Sequence, residues 1–271
     1  MFVASMAARV GLAVPADANR VLTVAADPNN LPFSNDREEG FENKLARLFA
    51  RELHLELRTI WQSQRRGFFS DTLGSDRCDV VMGVPAGFKQ CLTTAPYYRS
   101  TFVFVSREVD QLNINSFDDP TLRRVKIGVN TTGDGQMTPP ANALIERGLS
   151  QNLVSFSLYG DIRRQNPLAE IIRAVSDKKV DVAVAWGPLA GYFAAGESPP
   201  LKVTPIAVSS DSILPLSFAI CVGVRKGEDL LRDDINRVLT TQQERIHQLL
   251  DDFHIPQLPL DDALHTQESG Q

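Results

Sequence analysis

Residues able to do chemistry are thinly spread along this chain. Four histidines occur, His54, His247, His254 and His265, and three of them lie in or after the last helix-like segment. None stands beside a serine or cysteine in a nucleophile-elbow setting, and neither an H-E-x-x-H pair nor a clustered set of metal ligands is present. The three cysteines, Cys78, Cys91 and Cys221, fit neither C-x-x-C redox spacing nor a zinc pattern. Cys78 and Cys91 flank one loop, where a disulfide and two ordinary buried thiols are equally open readings; Cys221, inside "FAICVGV", reads as a small core residue. The stretch "GVNTTGDGQM" has glycines and Asp134 but lacks the lysine of a phosphate loop, so it reads as a cleft or surface loop. Asp27 and Asp161 are the carboxylates placed to act as general acid and base across a cleft, with capping or turn duty as the stronger rival for each. The residue types therefore point to no catalytic group, no metal and no required cofactor, and to a protein that is not an enzyme.

The elements that must position any site alternate between short apolar runs and helix-period segments, which makes the fold class α/β. Strands are expected over residues 21–26, 55–60, 78–84, 101–107, 125–130, 153–158, 180–186 and 217–225, mostly as continuous apolar or β-branched runs suited to a sheet covered on both faces. Phe41, Leu45, Leu48 and Phe49 form a helical stripe after Gly40, and Glu42 sits in its first turn, where the helix dipole favours an acid. Residues 227–253 read as one long amphipathic helix, stopped by the proline of "HIPQLP". "CDVVMGVP" and "VDVAVAWGP" echo one another: each sets an aspartate at the mouth of an apolar strand that runs into a Gly and Pro turn. Two such units predict two lobes whose strand-end turns face a common cleft. The bland alternative is two buried strands obeying the same chemistry.

A length of 271 residues suits two lobes, and the 43% hydrophobic and 23% charged composition is that of an ordinary globular protein. The net charge of −5 gives no general attraction to nucleic acid or to anionic membranes. No apolar run approaches the roughly 20 residues of a membrane span, so no membrane insertion is expected. Residues 1–19 end in an Ala16-Asp17-Ala18 triplet of the signal-cleavage type, yet Arg9 interrupts the apolar stretch; they read as a signal remnant or a disordered tail. Residues 263–271 read as a second disordered tail.

The order of these elements resembles the type II periplasmic solute-binding proteins of ABC transporters. "ADPNNLPFSN", "GFENKLA", "QRRGFFSDTL", "CDVVMGVPAGF", "LTTAPYYRSTFVFV", "TPPANAL", "YGD" and "DVAVAWGPLAGYFA" are similar, more narrowly, to the solute-binding-type proteins associated with quinoprotein dehydrogenases, the J proteins (MxaJ and XoxJ) of methanol-oxidation operons. The similarity runs over residues 21–260. It implies a two-lobed Venus-flytrap fold, with lobe one from residues 20–107 and 219–262, lobe two from 108–218, and "FVFVSR" and "FAICVGVR" as the two hinge strands. It also implies export to the periplasm and a PQQ-dependent methanol or alcohol dehydrogenase as partner, whose maturation or activation this chain would aid. Two alternatives stand: a receptor delivering a small non-amino-acid solute to an ABC permease, and a lyase on the same scaffold.

Amino-acid receptors of the wider family hold the ligand carboxylate with an arginine in a "T-x-x-R"-like segment. Here the equivalent segment reads "GVPAGFKQC", and Lys89 lacks the bidentate fork of an arginine. The second anchor, a distal aspartate for the ammonium group, falls near Trp186. Both anchors are missing, so an amino-acid ligand is not expected. In their place Phe33, Trp186 and Tyr97, with Tyr98, offer aromatic surface, and Asn29, Asn30, Gln64 and Thr131 offer neutral hydrogen bonds. Tyr97 and Tyr98 have packing against the hinge as a rival role. Arg65, Arg66 and Arg99 could take a carboxylate-rich ligand such as pyrroloquinoline quinone or an acidic partner surface, against plain solvation or a local ion pair. Pro28 and Pro32 are expected to hold residues 27–34 extended, presenting Phe33 as a cleft wall.

Overall fold

The computed structural model describes residues 20–132, 137–159, 163–207 and 215–260. The expectations for residues 1–19 and 263–271, and for Asp134, Asp161 and His265, fall outside these ranges. In chain order the strands are β1 (Val21–Ala26), β2 (Asn29–Asn30), β3 (Ser34–Asn35), β4 (Glu56–Trp61), β5 (Val80–Pro85), β6 (Leu92–Thr93), β7 (Tyr98–Arg107), β8 (Ile127–Thr131), β9 (Leu153–Ser157), β10 (Val182–Trp186), β11 (Leu201–Pro205) and β12 (Ser217–Val224). The helices are α1 (Phe41–Glu52), α2 (Phe68–Asp71), α3 (Pro139–Glu146), α4 (Glu170–Ser176), α5 (Gly187–Ala194), α6 (Asp229–Thr241) and α7 (Gln243–Asp252).

The main sheet runs β4-β1-β5-β12-β7-β10-β8-β9, with β6 added to β12 and β11 to β7. Its two ends are parallel: β1 with β4 and β5 on one side, β8 with β9 and β10 on the other. The middle is antiparallel, because β12 opposes both β5 and β7. Strand β7 passes from one half to the other. Its residues from Tyr98 to Thr101 pair with β12, and those from Phe102 to Ser106 pair with β10. Two hydrophobic clusters, around Phe41, Phe49 and Val222 and around Cys78 and Cys221, serve the first half; two more, around Leu122 and Ile127 and around Ile172 and Val180, serve the second. The fold is the two-lobed type II arrangement.

The echo between the lobes is structural. Asp79 accepts from the Thr23 amide at 2.8 Å and pairs with Arg225 at 3.0 Å, stapling β5 to its parallel neighbour. Asp181 does the same for β10, accepting from the Lys126 amide at 2.8 Å and facing Arg107 at 3.4 Å. An aspartate there satisfies a backbone donor at the strand entrance that no ladder bond reaches. Arg107 is buried among its acceptors, donating to the carbonyls of Val175 at 2.5 Å and Val180 at 2.9 Å and pairing with Asp110 at 2.5 Å.

Three expectations change. The terminal helix is two helices meeting at Gln242, where φ −110° and ψ 18° leave the helical region. Thr240 and Thr241 turn their hydroxyls back onto the carbonyls of Asn236 and Arg237, each at 3.0 Å, which loosens the last turn of α6. Strand β11 is an added edge strand beside β7, and "LKVTP" carries little strand signal because it is short and ends in proline, tolerable only on an edge. All three cysteines are buried free thiols, so the bridge between Cys78 and Cys91 is not formed. Cys78 bonds toward Ala25 and Thr72, whereas Cys91 lies toward Gly223 and Cys221.

Candidate functional site

The site is assembled around the entrance to α1. After β1 the chain folds into a small hairpin, β2 against β3, rather than the extended segment expected from its prolines; the Leu31-Pro32 peptide is cis. Asp27 organises it, accepting from the amides of Asn29 at 2.8 Å and Gln64 at 2.5 Å, which is turn and tethering duty. The hairpin then lies across the N-terminus of α1. Carbonyls of Pro32 and Phe33 accept from the amides of Phe41 and Glu42, each at 2.9 Å, and Asn43 Oδ1 accepts from Gly40 and Asn35. Gly40 permits this approach: a Cβ there would stand 2.0 Å from the Phe33 carbonyl oxygen.

This packing sets Phe33 and Glu42 side by side in a cavity of about 320 Å³ between the lobes. Gln64, Gly83 and Pro85 come from the first lobe's strand ends, Trp186 from the second's, and Tyr98, Phe102, Phe218 and Ile220 from β7 and β12. Trp186 stands edge-on to Phe102 at 5.3 Å and to Phe218 at 5.8 Å between ring centroids. The C-terminal ends of both echo strands, at Gly83 and Pro85 and at Trp186, thus meet at one cleft, whereas the Gly187-Pro188 turn opens α5.

Among the described residues lining this cavity Glu42 supplies the carboxyl, and its environment overrides the helix dipole. The dipole would hold its carboxyl below the ordinary range, yet desolvation by the surrounding protein pushes its pKa from 4.5 up to about 8. Glu42 keeps partial solvent contact through the cavity while being enclosed on its other sides. Burial, and then the nearby Glu42, also push Tyr97 and Tyr98 well above the usual phenol range. The Tyr97 hydroxyl faces the Gly83 backbone without the geometry of a hydrogen bond.

Of the residues singled out from sequence, Phe33, Gln64, Trp186 and Tyr98 line the cavity. Asn30 sits at the rim, donating to Gln64 Oε1 at 2.7 Å. Asn29 bridges the lobes instead of awaiting a ligand: its Nδ2 donates to the Arg164 carbonyl at 2.8 Å and its Oδ1 accepts from the Asn166 amide at 3.1 Å. Tyr97 is packed under Tyr98, with ring centroids 5.0 Å apart. Arg65 and Arg66 are exposed outside the cavity. Arg99 turns away to donate to Ser217 Oγ at 2.9 Å, and Thr131 ends β8 beside Met137. The alternation of the two hinge strands carried a signal for Phe102 and Phe218. Glu42 had one too, since it shares a helical stripe with the buried Ala46 and Phe49.

Among the described residues no group of three or more His, Cys, Asp or Glu is placed to hold a metal ion, and no helix is long and apolar enough to cross a membrane.

No protein-family model matches the chain. It is 31% identical over 266 residues to protein MoxJ of Paracoccus denitrificans, covering 93% of this chain and 95% of that protein. Among solved structures it is similar to the periplasmic binding protein XoxJ from Methylobacterium extorquens AM1, with TM-score 0.72, 34% identity, and coverage of 88% of this chain and 99% of that one. It is likewise similar to MxaJ from Methlophaga aminisulfidivorans MPT, with TM-score 0.75, 27% identity, and coverage of 88% and 100%.

Proposed function

Because the chain belongs to the MoxJ family of periplasmic-binding-type proteins, we propose that it is a non-catalytic periplasmic accessory protein of a PQQ-dependent methanol or alcohol dehydrogenase, aiding that enzyme's maturation or activation. The observation that supports this reading is the lining of the interlobe cavity. Aromatic and apolar side chains stand in place of the arginine and aspartate that an amino-acid receptor needs, and among the described lining residues Glu42 is the one carboxyl, with no second acid or base opposite it. Asp27, the one described member of the carboxylate pair weighed for catalysis, is committed to two backbone amides. An arrangement of this kind can hold a ligand or a partner's apolar group and position it, but it offers no group for proton transfer at two faces of a substrate.

The test is co-purification. The tagged chain, mixed with the purified dehydrogenase, should retain it on a column and change its measured activity. Repeated failure of both would remove the proposal. The ligand-sized cavity favours one second reading, a transport receptor for a small solute. In that case the solute alone, without any dehydrogenase, would raise the thermal midpoint in proportion to its excess over Kd.

A further inference from the structure

The cavity has five aromatic walls and one acid. Phe33, Tyr98, Phe102, Trp186 and Phe218 surround it, Glu42 supplies a carboxylic acid, and among the described residues neither arginine nor lysine lines it. Glu42 caps nothing, and its carboxyl makes no hydrogen bond or ion pair to any described residue. The backbone has nevertheless made room for it: Oε1 lies 2.5 Å from where a Cβ on Gly83 would stand, at φ +72°. The neighbouring cation on the same helix is turned elsewhere, with Lys44 Nζ 4.7 Å from the Phe253 ring centroid. The carboxyl is walled by apolar and aromatic side chains and meets solvent through the cavity, so a cation entering there would complete a pair with it.

We propose that the cavity binds an organic monocation, an ammonium ion carrying alkyl or aryl groups, with Glu42 as its counter-ion and Trp186, Phe102 and Phe218 as the faces it lies against. Aromatic faces attract a cation through their ring quadrupole, more strongly when both are desolvated, and favour organic groups that shed water readily. An anion, or the carboxylate of an amino acid, would meet Glu42 and no cationic side chain among the described lining residues. A neutral ligand would use the walls and leave the acid as a mere hydrogen-bond donor.

Binding is proton-coupled. With its pKa raised to about 8, Glu42 mostly holds its proton at pH 7, and the arriving cation displaces that proton to solvent. The titratable groups nearest Glu42 are Tyr97 and Tyr98 from β7 and its approach, with Cys221 of β12 beside Tyr97 and Glu38, paired with Arg47, in the adjoining hollow; Lys44 on α1 points away to Phe253. Burial pushes both tyrosines and Cys221 upward, so they keep their protons across neutral pH.

The test uses the full chain, with benzyltrimethylammonium as a cation that does not titrate and benzyl alcohol as a neutral aromatic control, in calorimetric titrations from pH 6 to 9. Cation affinity should rise about tenfold per pH unit from 6 to 7 and flatten above about 8. Close to one proton should be released per cation at pH 6, read from the dependence of the heat on buffer ionisation enthalpy. Glu42→Gln should weaken cation binding and abolish its pH dependence. No cation binding, equal affinity for benzyl alcohol, or binding without proton release would each overturn the assignment. Should the variant fold poorly, the proton count on the unaltered protein decides. The inference concerns the cavity alone: its failure leaves dehydrogenase association intact, and loss of that association leaves cation binding measurable.

Discussion

Replacing Glu42 with glutamine keeps the side chain's shape and removes its charge, and the consequence should be a specific change in how stability depends on pH. In the folded chain this carboxyl has a pKa of about 8, against 4.5 for its ordinary value. Between those values the native state holds a proton that the unfolded state has released. Stability from this group is therefore complete below about pH 4.5, falls as pH rises toward 8, and is flat beyond. The gap between 8 and 4.5, at about 1.4 kcal/mol per unit, sets a ceiling of about 5 kcal/mol. The partial solvent contact of Glu42 screens part of that, leaving an expected effect of about 2–4 kcal/mol. Urea unfolding of the two proteins at pH 5, 6.5 and 8 measures it directly, because glutamine does not titrate and every other group is shared. The variant should gain on the parent steadily from pH 5 to 8. Parallel stability curves would show that Glu42 is not desolvated as described, and the reasoning from its enclosure would fail.

Asn29→Ala removes the two hydrogen bonds that its side chain makes to the described residues Arg164 and Asn166 of the second lobe. At about 1 kcal/mol each, their loss should shift the lobes apart, seen as a larger radius of gyration in solution scattering; an unchanged radius would contradict a latch role. Arg107→Ala strips the Val175 and Val180 carbonyls of a buried donor and leaves Asp181 without its guanidinium. It should cost about 3–5 kcal/mol in chemical denaturation, and a loss within experimental error would refute the staple. Gly191→Ala places a Cβ 1.9 Å from the His254 carbonyl oxygen. The C-terminal segment should then lift from α5 and become susceptible to protease, whereas parental resistance would contradict that close docking.

Much of this architecture was legible because the strands are apolar runs with punctuated ends. Val21–Ala26 and Leu153–Ser157 were expected where they occur, and the twin aspartate strands foretold the cleft that Gly83, Pro85 and Trp186 share. What stayed hidden depends on contacts distant in sequence. Glu42 reads as a helix-dipole acid when only its own turn is considered; its raised pKa arises from enclosure by residues more than forty positions away, such as Gly83 and Tyr98. Asn29 reads as a ligand donor until residues 164–166 are brought across to meet it. Arg99 was placed near the cleft by its neighbours in "APYYR", yet strand alternation sends it to the opposite side from Tyr98 and Phe102. The hinge phenylalanines were within reach of the same alternation but could not be oriented before β7 and β12 were paired.

The most direct test of the accessory role is reconstitution. Metal-loaded dehydrogenase lacking its quinone would be mixed with PQQ, with and without one equivalent of this protein, and the appearance of activity followed over time. The account predicts a faster rise or a higher final activity with the protein present, beyond that given by an unrelated periplasmic binding protein. Identical time courses, together with no complex between the two proteins, would contradict it.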